Sequence, residues 1–242
     1  WKIDGDIFLN FLAKNNIDNL VKKVDGCSGH AIIQVDKEGR NSIIVEAGAN
    51  KKIERSFVDT VIDKFSSSDY ILLQNEINNL PYIIDKASKK GMKIFLNPSP
   101  IDLSIKEIDL NKADTIIINQ TEGKSLSSFS DEAKILDYFR ENFINLHVIL
   151  TLGSRGGIYS YKDKEIRYQA YPTKVVDTTA AGDTFLGYYL ANIAANKDIQ
   201  SSLKFASLAA AITCSRKGAA NSIPTKVEVE NFMKDKNIIW KK

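Results

Sequence analysis

No stretch of this 242-residue chain approaches the ~20 consecutive apolar residues that a membrane-spanning helix requires. Cysteine is scarce: Cys27 and Cys214 cannot build a disulfide framework in a chain this long, which points to a reducing, cytoplasmic setting. An excess of one charge is also missing. Lysine and arginine number 33 against 30 acids, a net charge of +3, so composition gives no reason to expect nucleic acid or an acidic membrane as a partner. The two histidines, His30 and His147, have no partner at metal-ligand spacing, which leaves zinc without a ligand set. Internal repeats, low-complexity tracts and long linkers are absent. The chain opens on Trp1 with no signal-peptide pattern, and is expected to begin inside a longer protein. What is there, 43% apolar and 26% charged residues, is ordinary globular composition for one large domain or two modest ones.

Along the chain, Ala31–Val35 and Ser42–Val45 are short β-branched runs separated by Asp36-Lys37-Glu38-Gly39, a hairpin signal. Strands and helices then alternate. Runs at Tyr70–Leu73, Lys93–Leu96, Thr115–Ile118 and His147–Leu150 are almost uniformly apolar, as in a parallel sheet covered on both faces. Between them, Leu80–Lys90 places Ile83, Ile84 and Ala87 on one side and closes on two lysines and Gly91. Asp131–Asn142 does the same with Ile135, Leu136 and Phe139. This alternation predicts an α/β sandwich. A second hairpin is expected from Gly157–Ser160 and Ile166–Ala170 around Lys162-Asp163-Lys164. The last third reads as two alanine-rich helices, Gly182–Ala195 and Ser201–Thr213, whose apolar faces suit a core, and an amphipathic one, Val227–Asp235.

Three segments carry chemistry. Asp177-Thr178-Thr179-Ala180-Ala181-Gly182-Asp183-Thr184-Phe185 follows a strand-like stretch, Thr173–Val176, and opens an apolar helix. Small residues let the backbone approach a ligand, and N–H groups at a helix start attract an anion. An aspartate on the first turn can then take a proton from a hydroxyl held beside that anion. The plainer reading is a helix capped by Asp177 or Asp183, but two aspartates framing a small-residue run exceed what a cap needs. Gly153-Ser154-Arg155-Gly156-Gly157 follows a buried strand, where α/β folds place nucleotides; it serves equally as a tight turn into the second hairpin. Asn119 and Glu122 share a helix face just past another strand. They suit either a hydrated Mg²⁺ or a capping box.

Two patterns mislead. Gly123-Lys124-Ser125 has the ending of a Walker A loop, but Ile118 stands where its first glycine belongs. Asn119-Gln120-Thr121 fits a glycosylation sequon, which has no meaning without secretion.

Asp177–Phe185 resembles the second signature of the PfkB carbohydrate kinases, Asp-Thr-x-Gly/Ala-Ala-Gly-Asp. Ala47-Gly48-Ala49-Asn50, Gln74-Asn75-Glu76, Asn97-Pro98-Ser99-Pro100, Asn119-x-x-Glu122, Thr151–Gly156 and Arg216-Lys217-Gly218-Ala219 follow in the order and spacing found in ribokinases. The resemblance covers essentially the whole chain. It implies a three-layer α/β/α sandwich, ribokinase-like, with a small β-sheet lid formed by strands around residues 29–46. The whole of 1–242 would be one kinase domain lacking its amino-terminal part.

The resemblance also implies roles. The reaction is phosphorylation of a sugar hydroxyl with ATP and Mg²⁺, activated by K⁺. Asp183 would be the base, and the N–H groups of Ala181, Gly182 and Asp183, with Ala180 in the same turn, would form the anion hole. Asn119, Thr151, Gly153, Ser154, Gly156 and Gly182 would border ATP, with Ser207 near the adenine, and Glu122 would reach Mg²⁺ through water. Glu76 would join Asp183 in holding the sugar. Asp177, the Thr179 carbonyl, the carbonyls near Thr213, Arg216 and Gly218, and Ser222 would surround K⁺. The lid would form a homodimer interface. One departure stands out: the Asn-x-Asp sugar contact and the first, paired-glycine signature of the family have no counterpart here, and Trp1–Asp6 resembles a point beyond both. Ribose, phosphorylated at its 5-hydroxyl, is the expected substrate; another sugar, a nucleoside, or a non-catalytic binding remnant are the alternatives.

Overall fold

The structure is a computed structural model and describes residues 2–35 and 41–235. The chain divides into two compact units, Trp1–Ala113 and Asp114–Lys242.

In the first unit, helix α1 (Lys2–Lys14) precedes strands β1 (His30–Val35) and β2 (Asn41–Glu46), which pair antiparallel with Ile32 opposite Ile44. Asp36–Gly39, the expected turn, lies outside the described residues. Helix α2 (Arg55–Ile62), strand β3 (Tyr70–Gln74), helix α3 (Leu80–Lys90) and strand β4 (Lys93–Asn97) follow. β3 and β4 are parallel neighbours, so α3 is the crossover between them. α3 forms as its spacing dictates. Pro81 starts it, Ile83, Ile84 and Ala87 are buried, and Gly91 ends it in a left-handed conformation with its N–H on the Ala87 and Ser88 carbonyls. With Val58 and Ile62 of α2 and Ile94 and Leu96 of β4 these side chains form the unit's core, each fully buried isoleucine or leucine contributing about 1.5–3 kcal/mol. The sequence pattern missed α1. Gly5 inside a helix costs about 1 kcal/mol, and Ile7 and Phe8 stay exposed, so no buried stripe marked it.

The second unit contains strand β5 (Thr115–Asn119), helices α4 (Gln120–Ser127) and α5 (Glu132–Asn142), and strands β6 (His147–Thr151), β7 (Gly157–Tyr161) and β8 (Lys164–Tyr168). Helices α6 (Ala181–Ala194), α7 (Ile199–Cys214) and α8 (Lys226–Asp235) complete it. β5 and β6 are parallel; β6–β7 and β7–β8 are antiparallel. Ile116–Ile118 and Val148–Leu150 are all buried, because both sheet faces are covered. On β7 the alternation shows how. Ser160 accepts from the Arg140 guanidinium of α5, whereas its neighbour Tyr159 turns to the other face. There burial, and then the Tyr159 phenol, push the Tyr189 hydroxyl of α6 up in pKa. α7 packs beside α6, and α8 closes over it through Val229 against Leu208 and Ile212. The α/β expectation is met: a mixed sheet lies between helices, with a separate two-stranded sheet.

Two expectations shift. β8 begins at Lys164, because the turn is only Lys162-Asp163, with Lys162 left-handed (φ 49°). Thr173–Val176 is not a strand. Val176 donates its N–H to the Cys214 carbonyl at the end of α7, and Val175 and Val176 are exposed.

Candidate active site

Helix α6 begins without a side-chain cap. Its N-cap residue, Ala180, is left-handed (φ 61°, ψ 8°) and makes no side-chain cap hydrogen bond. The first three N–H groups of such a turn have no acceptor inside the helix. Ala181 N–H reaches back to the Thr178 carbonyl at 3.2 Å. At Gly182 a Cβ would meet no other part of the chain within 4 Å, so the second position of the turn faces open space. Asp183, in the first turn, is exposed. Positive helix-end dipole, open backbone and carboxylate therefore meet at one point.

The loop leading into this turn is tied to the end of α7. Asp177 Oδ1 accepts from the Thr179 N–H (2.9 Å) and hydroxyl (2.7 Å), and Oδ2 from the Gly218 N–H (3.1 Å). Those bonds, the Thr179 hydroxyl first, hold the Asp177 carboxyl below its ordinary pKa. The Cys214 carbonyl accepts from both Val176 (2.8 Å) and Asp177 (3.2 Å). Asp177, Thr179, Thr213, Arg216 and Gly218 thus belong to one connected loop pair. Thr213 and Ser222 are buried, and their hydroxyls are engaged, with Thr184 at 3.0 Å and the Ala219 carbonyl at 2.6 Å. Arg216 points to Glu228 at 2.7 Å.

At the carboxyl edge of the sheet, Asn119 and Thr151 are register partners on β5 and β6. Asn119 and Glu122 form a complete capping box on α4. Asn119 Oδ1 accepts from Glu122 N–H, while the Glu122 carboxylate accepts from the Asn119 N–H and side-chain amide, all at 2.9 Å. Thr151 donates to the Ile118 carbonyl at 3.2 Å. Gly153 (φ 58°) and Ser154 are exposed, and a Cβ at Gly153 would touch nothing within 4 Å. Gly156 differs. Its φ is 85°, and a Cβ there would sit 2.0 Å from the Tyr168 carbonyl oxygen. Ser207 is buried and donates to the neighbouring Gln169 carbonyl at 2.8 Å. Gly156 and Ser207 therefore both grip residues 168–170, and both have a structural reason to be what they are.

In the first unit, the Gln74-Asn75-Glu76 and Asn97–Pro100 segments meet where β3 and β4 end. The Gln74 amide donates to Asn97 Oδ1 at 3.0 Å, and Asn75 N–H to the Ser99 carbonyl. The buried Asn75 amide reaches the Pro100 carbonyl and Asp102, and the Ser99–Pro100 peptide is cis. Glu76 follows, half-buried. Gly48 (φ 48°) passes so close to Cys27 that a Cβ would lie 2.5 Å from its carbonyl oxygen.

Three contributors escaped sequence reasoning: the Cys214 carbonyl, the Asn75–Asp102 pair, and the Thr184 hydroxyl. Only Thr184 carried a signal, a small hydroxyl residue beside the apolar Phe185 and Leu186 of an apolar helix.

The pfkB family carbohydrate kinase pattern matches residues 4–226 of this chain. A bifunctional ribokinase/ribose-5-phosphate isomerase A of Fructilactobacillus sanfranciscensis is 35% identical over 227 residues, covering 90% of this chain and 42% of that protein. The chain thus spans less than half of that relative's length. A ribokinase of Haemophilus influenzae is 34% identical over 240 residues, covering 95% of this chain and 77% of its own length. The structure of Arabidopsis thaliana ribokinase complexed with ribose and ATP superposes with a TM-score of 0.74 at 28% identity, over 85% of this chain and 69% of that one. The order of the motifs, the uncapped turn at Ala180–Asp183 and these likenesses agree, and the chain belongs to the PfkB family of carbohydrate kinases.

Proposed function

We propose that this chain transfers the γ-phosphoryl group of ATP to the 5-hydroxyl of D-ribose. The observation that carries the reading is the start of α6, where Gly182 faces open space beside the Asp183 carboxylate. The relatives' names supply the sugar and the nucleotide: two are ribokinase activities, and one solved neighbour was complexed with ribose and ATP.

Asp183 takes the proton as the sugar hydroxyl oxygen bonds to the γ-phosphorus and the bond to ADP breaks. The N–H groups of Gly182 and Asp183, with Ala181 behind them, receive the charge on the equatorial oxygens. Ala180, left-handed at the cap, aims them. Asn119, Thr151, Gly153 and Ser154 line the nucleotide, Gly156 and Ser207 shape the wall at residues 168–170, and Glu76 helps hold the sugar.

The residues fit the two implied cations. The Glu122 carboxylate, its position fixed by Asn119, would reach hydrated Mg²⁺ through a water. The carboxylate of Asp177, the main-chain carbonyls of Thr179, Thr213, Arg216 and Gly218, and Ser222 offer the hard oxygen donors that suit K⁺. Mg²⁺ held there would supply neutralisation of phosphate charge, and K⁺ would supply support to the loop entering α6. Both units are taken as parts of one kinase domain. Exposed Ile32, Ile44 and Val45 on the hairpin support its role as a lid and dimer surface, and the unbonded Cys27 and Cys214 support a cytoplasmic setting.

The test is ribose-dependent ADP release by the intact protein and by Asp183→Asn. Loss of about 10²-fold or more in kcat is expected. Activity surviving within about tenfold would remove Asp183 from the role of base. Release of ADP with another pentose, and none with ribose, would move the proposal to that sugar.

A further inference from the structure

In the first turn of α6, Ala181 and Gly182 carry only a methyl group and a hydrogen, and Asp183 is exposed. Thr184 is the first buried side chain of the helix, and its hydroxyl lies 3.0 Å from that of Thr213, both residues essentially inaccessible to water. Thr213 is the penultimate residue of α7, directly before Cys214, whose carbonyl takes the N–H groups of Val176 and Asp177. One turn of α7 therefore grips the loop that enters the anion-binding turn and the helix that leaves it.

We propose that the Thr184–Thr213 hydroxyl pair positions the phosphoryl-transfer turn, acting through Gly182 and Asp183 while touching no substrate itself. The inference rests on the kinase reading above and adds to it two residues whose side chains it does not otherwise use. A helix is free to rotate about its axis where no shaped side chain keys it to a neighbour. Phe185, Leu186 and Tyr189 key the body of α6 from below, but they start after the catalytic turn. A directional bond at Thr184 fixes the azimuth of the residue next to Asp183, and with it the aim of the Gly182 and Asp183 N–H groups. Such aim matters most when charge develops, since small displacements of preorganised donors act on the transition state rather than on ground-state binding.

The experiment measures kcat and KM for Thr184→Val, Thr213→Val, the double variant and Thr184→Ser in the intact protein, with folding of each verified by thermal melting. Valine keeps the shape and removes the hydroxyl. Each single valine variant is expected to lower kcat by about tenfold with KM for sugar and ATP within about twofold. The double variant should lose no more than either single one, because the pair acts as a unit. Thr184→Ser, which restores the hydroxyl, should return kcat to within about twofold of the parent protein. Singles that keep kcat, losses that multiply in the double variant, or a serine variant as impaired as the valine one would each overturn the proposal. If Thr184→Val does not fold, Thr213→Val and Thr184→Ser decide by the same criteria. These failures are distinct from failure of the kinase reading, in which the parent protein itself transfers no phosphoryl group or Asp183→Asn is silent.

Discussion

Helices α4 and α6 both begin beside the proposed nucleotide site, yet they begin in opposite ways. α4 satisfies itself: Asn119 and Glu122 exchange three hydrogen bonds across its first turn. α5 and α7 are closed similarly by Asp131 and Asp198, whose side chains accept from Lys134 and Ser201 N–H groups. α6 has no such closure among the described residues; a methyl-bearing residue sits left-handed at its cap. A left-handed alanine costs on the order of 1 kcal/mol, and a missing cap about as much again. In the second unit α4, α5, α7 and α8 carry side-chain caps and α6 does not. Helices α2 and α3 of the first unit also start without one, but at α6 the uncapped turn is joined by Gly182 in open space beside the Asp183 carboxylate.

Substituting the glycines gives the largest contrast. Gly156→Ala drives a methyl group to within 2.0 Å of the Tyr168 carbonyl oxygen at a backbone angle of φ 85°. A loss of at least about 3 kcal/mol in unfolding free energy is expected, read from urea melts. Gly182→Ala meets nothing and sits in a helix, so the protein should melt no lower than its parent. Its kcat should nevertheless fall on the order of 10²-fold, because the methyl group occupies the anion's approach. If Gly182→Ala retains full activity, the open turn is not the phosphate site.

Capping can also be moved. Ala180→Asn places a residue tolerant of the left-handed region at the start of α6 and supplies a side-chain oxygen to its N–H groups. We expect stability to rise by about 0.5–1 kcal/mol while kcat falls on the order of tenfold or more, since the cap competes with phosphate. The reciprocal change, Asn119→Ala, opens α4 and should cost about 1–2 kcal/mol. A rise in both stability and activity in Ala180→Asn would erase the distinction between the two helices.

These contrasts also explain what the sequence disclosed. Strands β5 and β6 were legible because Ile116–Ile118 and Val148–Leu150 are apolar on both faces, and α3 because its buried stripe, lysines and Gly91 agree. The Asn119–Glu122 spacing suited a capping box or a hydrated Mg²⁺ equally, and the capping box formed; a role toward Mg²⁺ depends on what approaches the carboxylate, which spacing does not reveal. Gly153 and Gly156 look alike in sequence, but only the close pass of residues 168–170 separates the exposed one from the crowded one. Thr173–Val176 carried strand propensity without a neighbouring strand to pair with, and the Val176 N–H went to the Cys214 carbonyl instead. The Thr184–Thr213 pair joins residues 29 apart through tertiary packing, beyond the reach of any local pattern.

The smallest expected effect comes from a third kind of helix start, at α8. Glu228 accepts from the Thr225 N–H (2.6 Å) and hydroxyl (2.9 Å) and pairs with Arg216 at 2.7 Å, so a capped helix and the loop after α7 share one carboxylate. Those bonds, the Thr225 N–H first, draw its pKa down from 4.5 to about 2. A carboxyl depressed in the folded state stabilises above its unfolded pKa and ceases to do so as pH falls toward the folded one. The contribution of Glu228 should therefore be constant from neutrality down to about pH 5 and fade between 4.5 and about 2. Urea midpoints of the parent protein and Glu228→Gln, measured from pH 7 downward, should stay a fixed distance apart and then converge in that interval, because glutamine mimics the protonated acid. High salt should narrow the gap at neutral pH, since the group is exposed and its bond to Arg216 is screened. Curves that run parallel to the lowest pH would show that the charge adds nothing to the cap, and α8 would then begin on hydrogen bonds alone.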